Sequence, residues 1–151
     1  MFNKIGIPNI IMKKFEFLDI TTADTAFVAY GKNLNELFSN AALAMFEVMV
    51  NTEQIKPKIE KEVEIEAKDL HSLLFEWLNK LLIFYGSENL AFSKFNVEID
   101  KKNFKLCAKC FGEKIDPDRH ETKTEVKACT YHKMEIKKIN DKWRAQVIVD
   151  I

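Results

Sequence analysis

Apolar residues recur along this chain with two different periods, and the switches between them mark out its elements. Over residues 33–50 they fall at Leu34, Leu37, Phe38, Ala41, Ala42, Met45, Phe46 and Met49, the three-and-four spacing that lays one stripe along a helix. Asn33 stands at the head of the stripe with Glu36 three residues on, a variant of the capping box that satisfies the first free amides of a helix. After Pro57 the period becomes two. Ile59, Lys61, Val63, Ile65 and Ala67 alternate with Glu60, Glu62, Glu64 and Glu66, as in a strand with one dry and one wet face. Asp69, a good N-cap, opens a second helical stripe through Leu70, Leu73, Leu74, Trp77, Leu78, Leu81 and Leu82. It ends near Gly86, a residue suited to a left-handed C-terminal position.

The flanks read as strands. Phe15 and Phe17 begin a short one that runs into a polar segment, residues 19–24, whose Asp and Thr side chains suit a turn; a second strand over residues 26–30 closes at Gly31. Beyond Gly86 the pattern predicts strands over residues 92–99, 104–111, 125–131, 134–139 and 143–151, with Asn140-Asp141 as a tight hairpin turn. Helices separated by strands and followed by a run of strands predict an α+β fold. Two amphipathic helices pack on one face of a mainly antiparallel sheet, in a single domain spanning residues 12–151. Residues 1–11 are read as an upstream start choice or a disordered N-terminal extension and are assigned no structure.

Composition narrows the function. Lys and Arg together number 23, as do Asp and Glu, so there is no global positive field to hold a phosphate backbone by counterion release, which argues against a dedicated nucleic-acid binder. No apolar run approaches the roughly 18 residues needed to span a bilayer, and the opening residues lack the pattern of an export signal. Three cysteines, Cys107, Cys110 and Cys129, are too few for a disulfide framework and fit a reducing compartment. A cytoplasmic location with no membrane partner is expected.

Candidate chemistry is sparse. Cys107 and Cys110 form a C-x-x-C, but on one strand they point to opposite faces, and a second pair to complete a zinc site is missing. His71, His120 and His132 fall on three different elements, without the i, i+4 pairing of a helical metal site. Neither a phosphate-binding glycine loop nor a nucleophile elbow is present, so an enzyme reading lacks a nucleophile. Lysines gather at Lys101, Lys102, Lys105 and Lys109, and again at Lys133, Lys137, Lys138 and Lys142 with Arg144. They read either as solvated strand faces or as contacts to RNA or an acidic protein. At the other end of the last strand, Trp143, Ala145, Val147, Val149 and Ile151 alternate as a buried face, which predicts that the carboxylate of Ile151 is held in place beside Asp150. Two fixed anionic groups favour a neutralising cation; a solvated Asp on an edge strand is the other reading.

The order of FEFLD, AD before a strand ending AYG, NLNELFSNAALAMFEVM, DLHSLLFEWLNKLL, GEKIDPDRHETKTEVKACTYHKMEI and VDI resembles the archease family from about Met12 to Ile151. DPDRH at residues 116–120, TEVKACTYH at residues 124–132 and the final Asp150-Ile151 carry it most specifically. The resemblance implies a non-enzymatic accessory protein that activates the RNA-splicing ligase in tRNA splicing, by promoting its guanylylation and turnover. The protein partner would then be that ligase, with tRNA involved only indirectly. It also implies a divalent metal, Ca2+ by its oxygen donors. The family's H-T-A-D motif falls on TTAD here, so the implied ligands are Asp24, Asp150 and the terminal carboxylate of Ile151, with Asp19 as the alternative N-terminal ligand. Lys127, Tyr131 and His132 are the candidate partner contacts. Two further hypotheses stay open: a chaperone or RNA-binding modulator of another tRNA-processing or modifying enzyme, and a hydrolase using Asp24 and Asp150 with an ion.

Overall fold

The computed structural model describes residues 13–18 and 24–151. The predicted extension over residues 1–11 and the alternative ligand Asp19 lie outside the described residues. The elements in chain order are β1 (Phe15–Leu18), β2 (Asp24–Gly31), α1 (Leu34–Met49), β3 (Ile59–Glu66), α2 (Leu70–Glu88), β4 (Leu90–Asp100), β5 (Lys105–Lys114), β6 (Ala128–Cys129), β7 (Glu135–Ile139) and β8 (Lys142–Asp150), with a short 3-10 turn at Thr52–Gln54. This is the expected α+β arrangement of two helices on antiparallel strands. The strands, however, form two sheets where one was expected. In the first, β1 pairs β2 and β2 pairs β8, and the far side of β8 is shared by β7 at its start and β6 at its end; in the second, β5 lies between β3 and β4.

α1 explains the second sheet. Besides the expected stripe, Asn40, Ala44 and Val48 are buried, so the helix is dry on more than one face and packs against β1, β2 and β8 of one sheet and β4 of the other. Small residues at Ala41, Ala42 and Ala44 allow that double contact. Asn40 is tolerated inside because its amide donates to the Tyr30 carbonyl at 2.7 Å, which removes the desolvation penalty of an unpaired polar group. Trp77 of α2 likewise donates to the Phe38 carbonyl at 3.0 Å and ties the helices together at the centre of the core. Each fully buried Phe, Leu or Met here contributes about 1.5–3 kcal/mol relative to exposure. Gly31 marks the tightest entry into α1: a Cβ there would lie 2.4 Å from the Leu37 nitrogen.

The caps are mostly where the sequence puts them. Asn33 accepts from the Glu36 amide at 2.9 Å, while the Glu36 carboxylate reaches the Lys32 amide, one residue beyond the reciprocal capping-box partner. Asp69 and Ser72 form the full reciprocal box of α2. Gly86 does not end α2. The helix continues to Glu88, and Asn89 takes the left-handed position at φ 57°, its side-chain amide donating to the Ile115 carbonyl at 3.3 Å. The Asn140-Asp141 hairpin is as expected, both residues having positive φ, the requirement of a type I′ turn. Among the described residues no helix is long and apolar enough to cross a membrane.

The predicted strand over residues 125–131 shrinks to Ala128–Cys129, for two reasons. Upstream, the backbone serves the C-terminal end of α1: the Lys123 and Thr124 amides donate to the Met49 and Val48 carbonyls at 2.8 and 3.1 Å, and Asn51 donates back to Glu121. Those carbonyls have no partner within the helix. Downstream, the outer edge of Cys129 is taken by a side chain instead of a strand. Asn79 of α2 accepts from the Cys129 amide at 3.0 Å and donates to its carbonyl at 3.3 Å.

Candidate functional site

β2 begins two residues sooner than the sequence predicts, and that difference builds the site. With Asp24 inside the strand, the antiparallel register sets it directly opposite Asp150, with Thr25 opposite Val149 and Phe27 opposite Val147. Phe27, Val147 and Val149 belong to the core. Strand alternation therefore places Asp24 and Asp150 together on the other face of the sheet. Directly opposite residues have their Cβ atoms about 4.5–5.5 Å apart, where like charges destabilise a sheet.

The end of β8 is fixed from both sides. On its other edge the Lys127 amide donates to the Asp150 carbonyl at 2.8 Å, Ala128 stands opposite Asp150, and the Thr130 amide and hydroxyl both donate to the Ile148 carbonyl. Ile151 is half-buried and packs against the core, so the chain is held through its last residue. Asp150 is exposed and Asp24 half-buried, and neither is in an ion pair among the described residues. Two opposed carboxylates on paired strands are hard-oxygen donors of the kind a divalent cation could bridge. Among the described residues no three His, Cys, Asp or Glu side chains converge here.

Of the candidate contact residues, Lys127 is exposed and adjoins this edge through its own backbone. Tyr131 is 51% exposed and stacks on Phe75 of α2 with ring centres 3.9 Å apart. His132 is exposed, its amide bonded to the Thr130 hydroxyl at 3.3 Å. Lys127 enters β6 while Tyr131 and His132 follow it, and of the three only Lys127 is tied to Asp150.

His120 and His132 do not meet. His120 is 3% exposed and belongs to a second carboxylate site that the sequence did not single out. Glu113, 4% exposed, accepts from the Lys56 amide at 2.7 Å and from Arg119 at 2.6 Å, with the His120 Nε2 3.0 Å away. The His120 Nδ1 accepts from the Asp116 amide at 2.9 Å, which leaves Nε2 as the donor to Glu113. Burial pushes the Glu113 carboxyl up, but the donations from Lys56, Arg119 and His120 outweigh it and hold the group at about 2. DPDRH is thus a turn that clamps one buried carboxylate. Only the C-terminal half of the clamp stood out in sequence, because Glu113 arrives from β5 as a single inward acid among apolar residues.

The thiols are as alternation predicts: Cys107 exposed, Cys110 buried. Burial pushes Cys110 and Cys129 up to about 12, far from thiolate chemistry. His71 is exposed in the first turn of α2. Part of the basic population is engaged locally. Lys101 and Lys138 lie 5.3 and 5.9 Å from the Trp143 ring centre, while Lys137 and Arg144 pair with Glu135.

Comparison with known proteins identifies the family and the fold. Residues 15–151 match the archease protein family. The protein archease of Sulfurisphaera tokodaii is 50% identical over 140 residues, covering 93% of this chain and 100% of that protein. That of Pyrococcus abyssi is 46% identical over 143 residues with the same coverage. The solution structure of Methanobacterium thermoautotrophicum protein 1598 superposes with a TM-score of 0.81 at 47% identity, over 93% of this chain and 100% of that one. The crystal structure of an archease, described as a possible chaperone, from Thermotoga maritima shares the fold at a TM-score of 0.61 and 22% identity, over 95% of this chain and all of that one. With a family match across both helices and all eight strands, and relatives near half identity along their full length, the chain belongs to the archease family.

Proposed function

We propose that this chain is a non-enzymatic accessory protein that activates the RNA-splicing ligase of tRNA splicing, promoting guanylylation and turnover of the ligase with a divalent cation, Ca2+, held at the Asp24 and Asp150 edge. The observation that carries the reading is the register of β2 on β8, which opposes two carboxylates at the rigid end of the last strand. Asp24, Asp150 and the main-chain carboxylate of Ile151 would hold the ion. Calcium takes about six to eight oxygens, so water, a carbonyl or a partner group completes the shell and the site faces outward. When bound, the ion supplies positive charge that can order phosphate or carboxylate oxygens of a partner.

The chain's own part is positional. β2 and β6 clamp β8 from both edges, so the carboxylates are presented without a further ordering cost. Lys127, Tyr131 and His132, on the segment beside β8, are the proposed partner contacts. To shift the ligase, the protein must bind its guanylylation-competent state more tightly than the others. tRNA enters only through the ligase, and the working compartment is the cytoplasm.

The test is formation of the ligase–GMP adduct with the wild-type protein, Asp24→Ala and Asp150→Ala. Both variants should lose most of the stimulation at unchanged fold by circular dichroism. Full stimulation by both would remove the metal edge from the mechanism.

A further inference from the structure

A second surface lies on the other sheet. β3 is an edge strand of the β3-β5-β4 sheet, so every second residue turns its N–H and C=O away from β5. Beside that edge runs a groove of about 380 Å³ between β3 and α2. Its strand wall is Glu64, Ile65 and Glu66; its helix wall is Phe75, Glu76, Asn79, Lys80 and Ile83, positions that recur at one and four residues and so form one strip of the helix.

Three features of the groove point to the same occupant. The edge, unpaired among the described residues, offers main-chain bonds that only an extended backbone can use. Ile83 is 59% exposed on α2, which leaves apolar surface uncovered where a side chain can be received. The rim carries Glu64, Glu66 and Glu76 against the single Lys80, whose ammonium sits 5.6 Å from the Phe84 ring. Charged outer residues protect an edge from aggregation, but that role does not account for Ile83 standing exposed in the groove.

We infer that the β3–α2 groove docks an extended segment of a partner protein, alternating basic and apolar residues, which adds a fourth strand to the sheet along β3. The segment's main chain pairs with β3, its Lys or Arg side chains meet Glu64 and Glu66 on the wet face, and an apolar side chain on the other face enters between Ile65, Ile83 and Phe75. The strip of α2 from Phe75 to Ile83 is about 12 Å long at 1.5 Å per residue, room for about four extended residues. The inference stands apart from the cation edge: it requires no metal, and its test uses none.

The probe is a fluorescein-labelled peptide acetyl-(Lys-Val)3-amide, titrated in EDTA by anisotropy and by amide chemical shifts of the isotope-labelled full chain. Binding should shift the amides of residues 64–66 and slow their hydrogen exchange. Affinity should fall at least tenfold with Ile83→Glu, with the double variant Glu64→Lys, Glu66→Lys, and with a peptide N-methylated on alternate residues. Ile83 is exposed, so its variant is expected to fold, and Ile83→Ser gives a second apolar test without added charge. Equal binding of the N-methylated peptide, equal binding of a (Glu-Val)3 peptide, or shifts confined to other residues would overturn the inference. So would self-association of the free protein through β3 by sedimentation, because the edge would then belong to a second copy.

Discussion

The molecule holds carboxylates in two opposite ways. Glu113 is buried, and both of its oxygens are engaged, by the Lys56 amide, Arg119 and His120. Asp24 and Asp150 face each other across two strands at the surface, and among the described residues neither has a cation. The first arrangement is satisfied by donors from its own chain; the second is electrostatically unfinished. A carboxylate satisfied by its own chain holds the fold together, while one that the fold sets against another acid favours a cation from outside.

Removing the Glu113 side chain should have the largest effect. Glu113→Ala leaves the buried His120 ring without its acceptor and removes the partner of the exposed Arg119 and of the Lys56 amide, a loss of about 1–3 kcal/mol, read as a lower urea midpoint with cation affinity retained by the surviving fold. The same residue sets an acid limb. Its folded value near 2 lies below its ordinary 4.5, so its stabilisation is complete above about pH 4.5 and is lost as pH falls toward 2. Urea midpoints measured from pH 6 to pH 2 should fall less steeply for Glu113→Gln than for the wild type.

The surface pair should respond with the opposite sign. In EDTA, Asp24→Asn or Asp150→Asn relieves like-charge opposition and should raise stability by about 0.2–1 kcal/mol, seen as a small rise in Tm. A loss of stability without metal would mean that the pair is not repulsive and would sink the contrast between the two sites.

How much of this was legible in sequence follows from the range of the forces involved. α1, β3, α2 and the Asn140-Asp141 turn rest on local periodicity and capping, so Asn33, Asp69 and the alternating glutamates mark them plainly. The division into two sheets was not visible, because it depends on burial of the second face of α1 at Asn40, Ala44 and Val48. The strand over residues 125–131 failed because Asn79, about fifty positions away, fills its outer edge, and because residues 123–124 serve the end of α1. Asp150 stood out from the alternation of the last strand and Asp24 through family resemblance, but their opposition is a property of register, which no single strand encodes. Glu113 was missed for the same reason: its partners come from the Lys56 backbone and from the DPDRH turn.

The most direct test of the account is calorimetric titration of Ca2+ into the metal-free protein, compared with Asp24→Asn, Asp150→Asn and a variant with one glycine added after Ile151. The account predicts one site in the wild type, at least tenfold weaker binding in each aspartate variant, and clear weakening by the glycine, which moves the main-chain carboxylate away from the pair. At a hundred times the dissociation constant, the wild type should gain about 2.7 kcal/mol of stability from the ion. Undiminished affinity in all three variants, or no binding by the wild type, would contradict it.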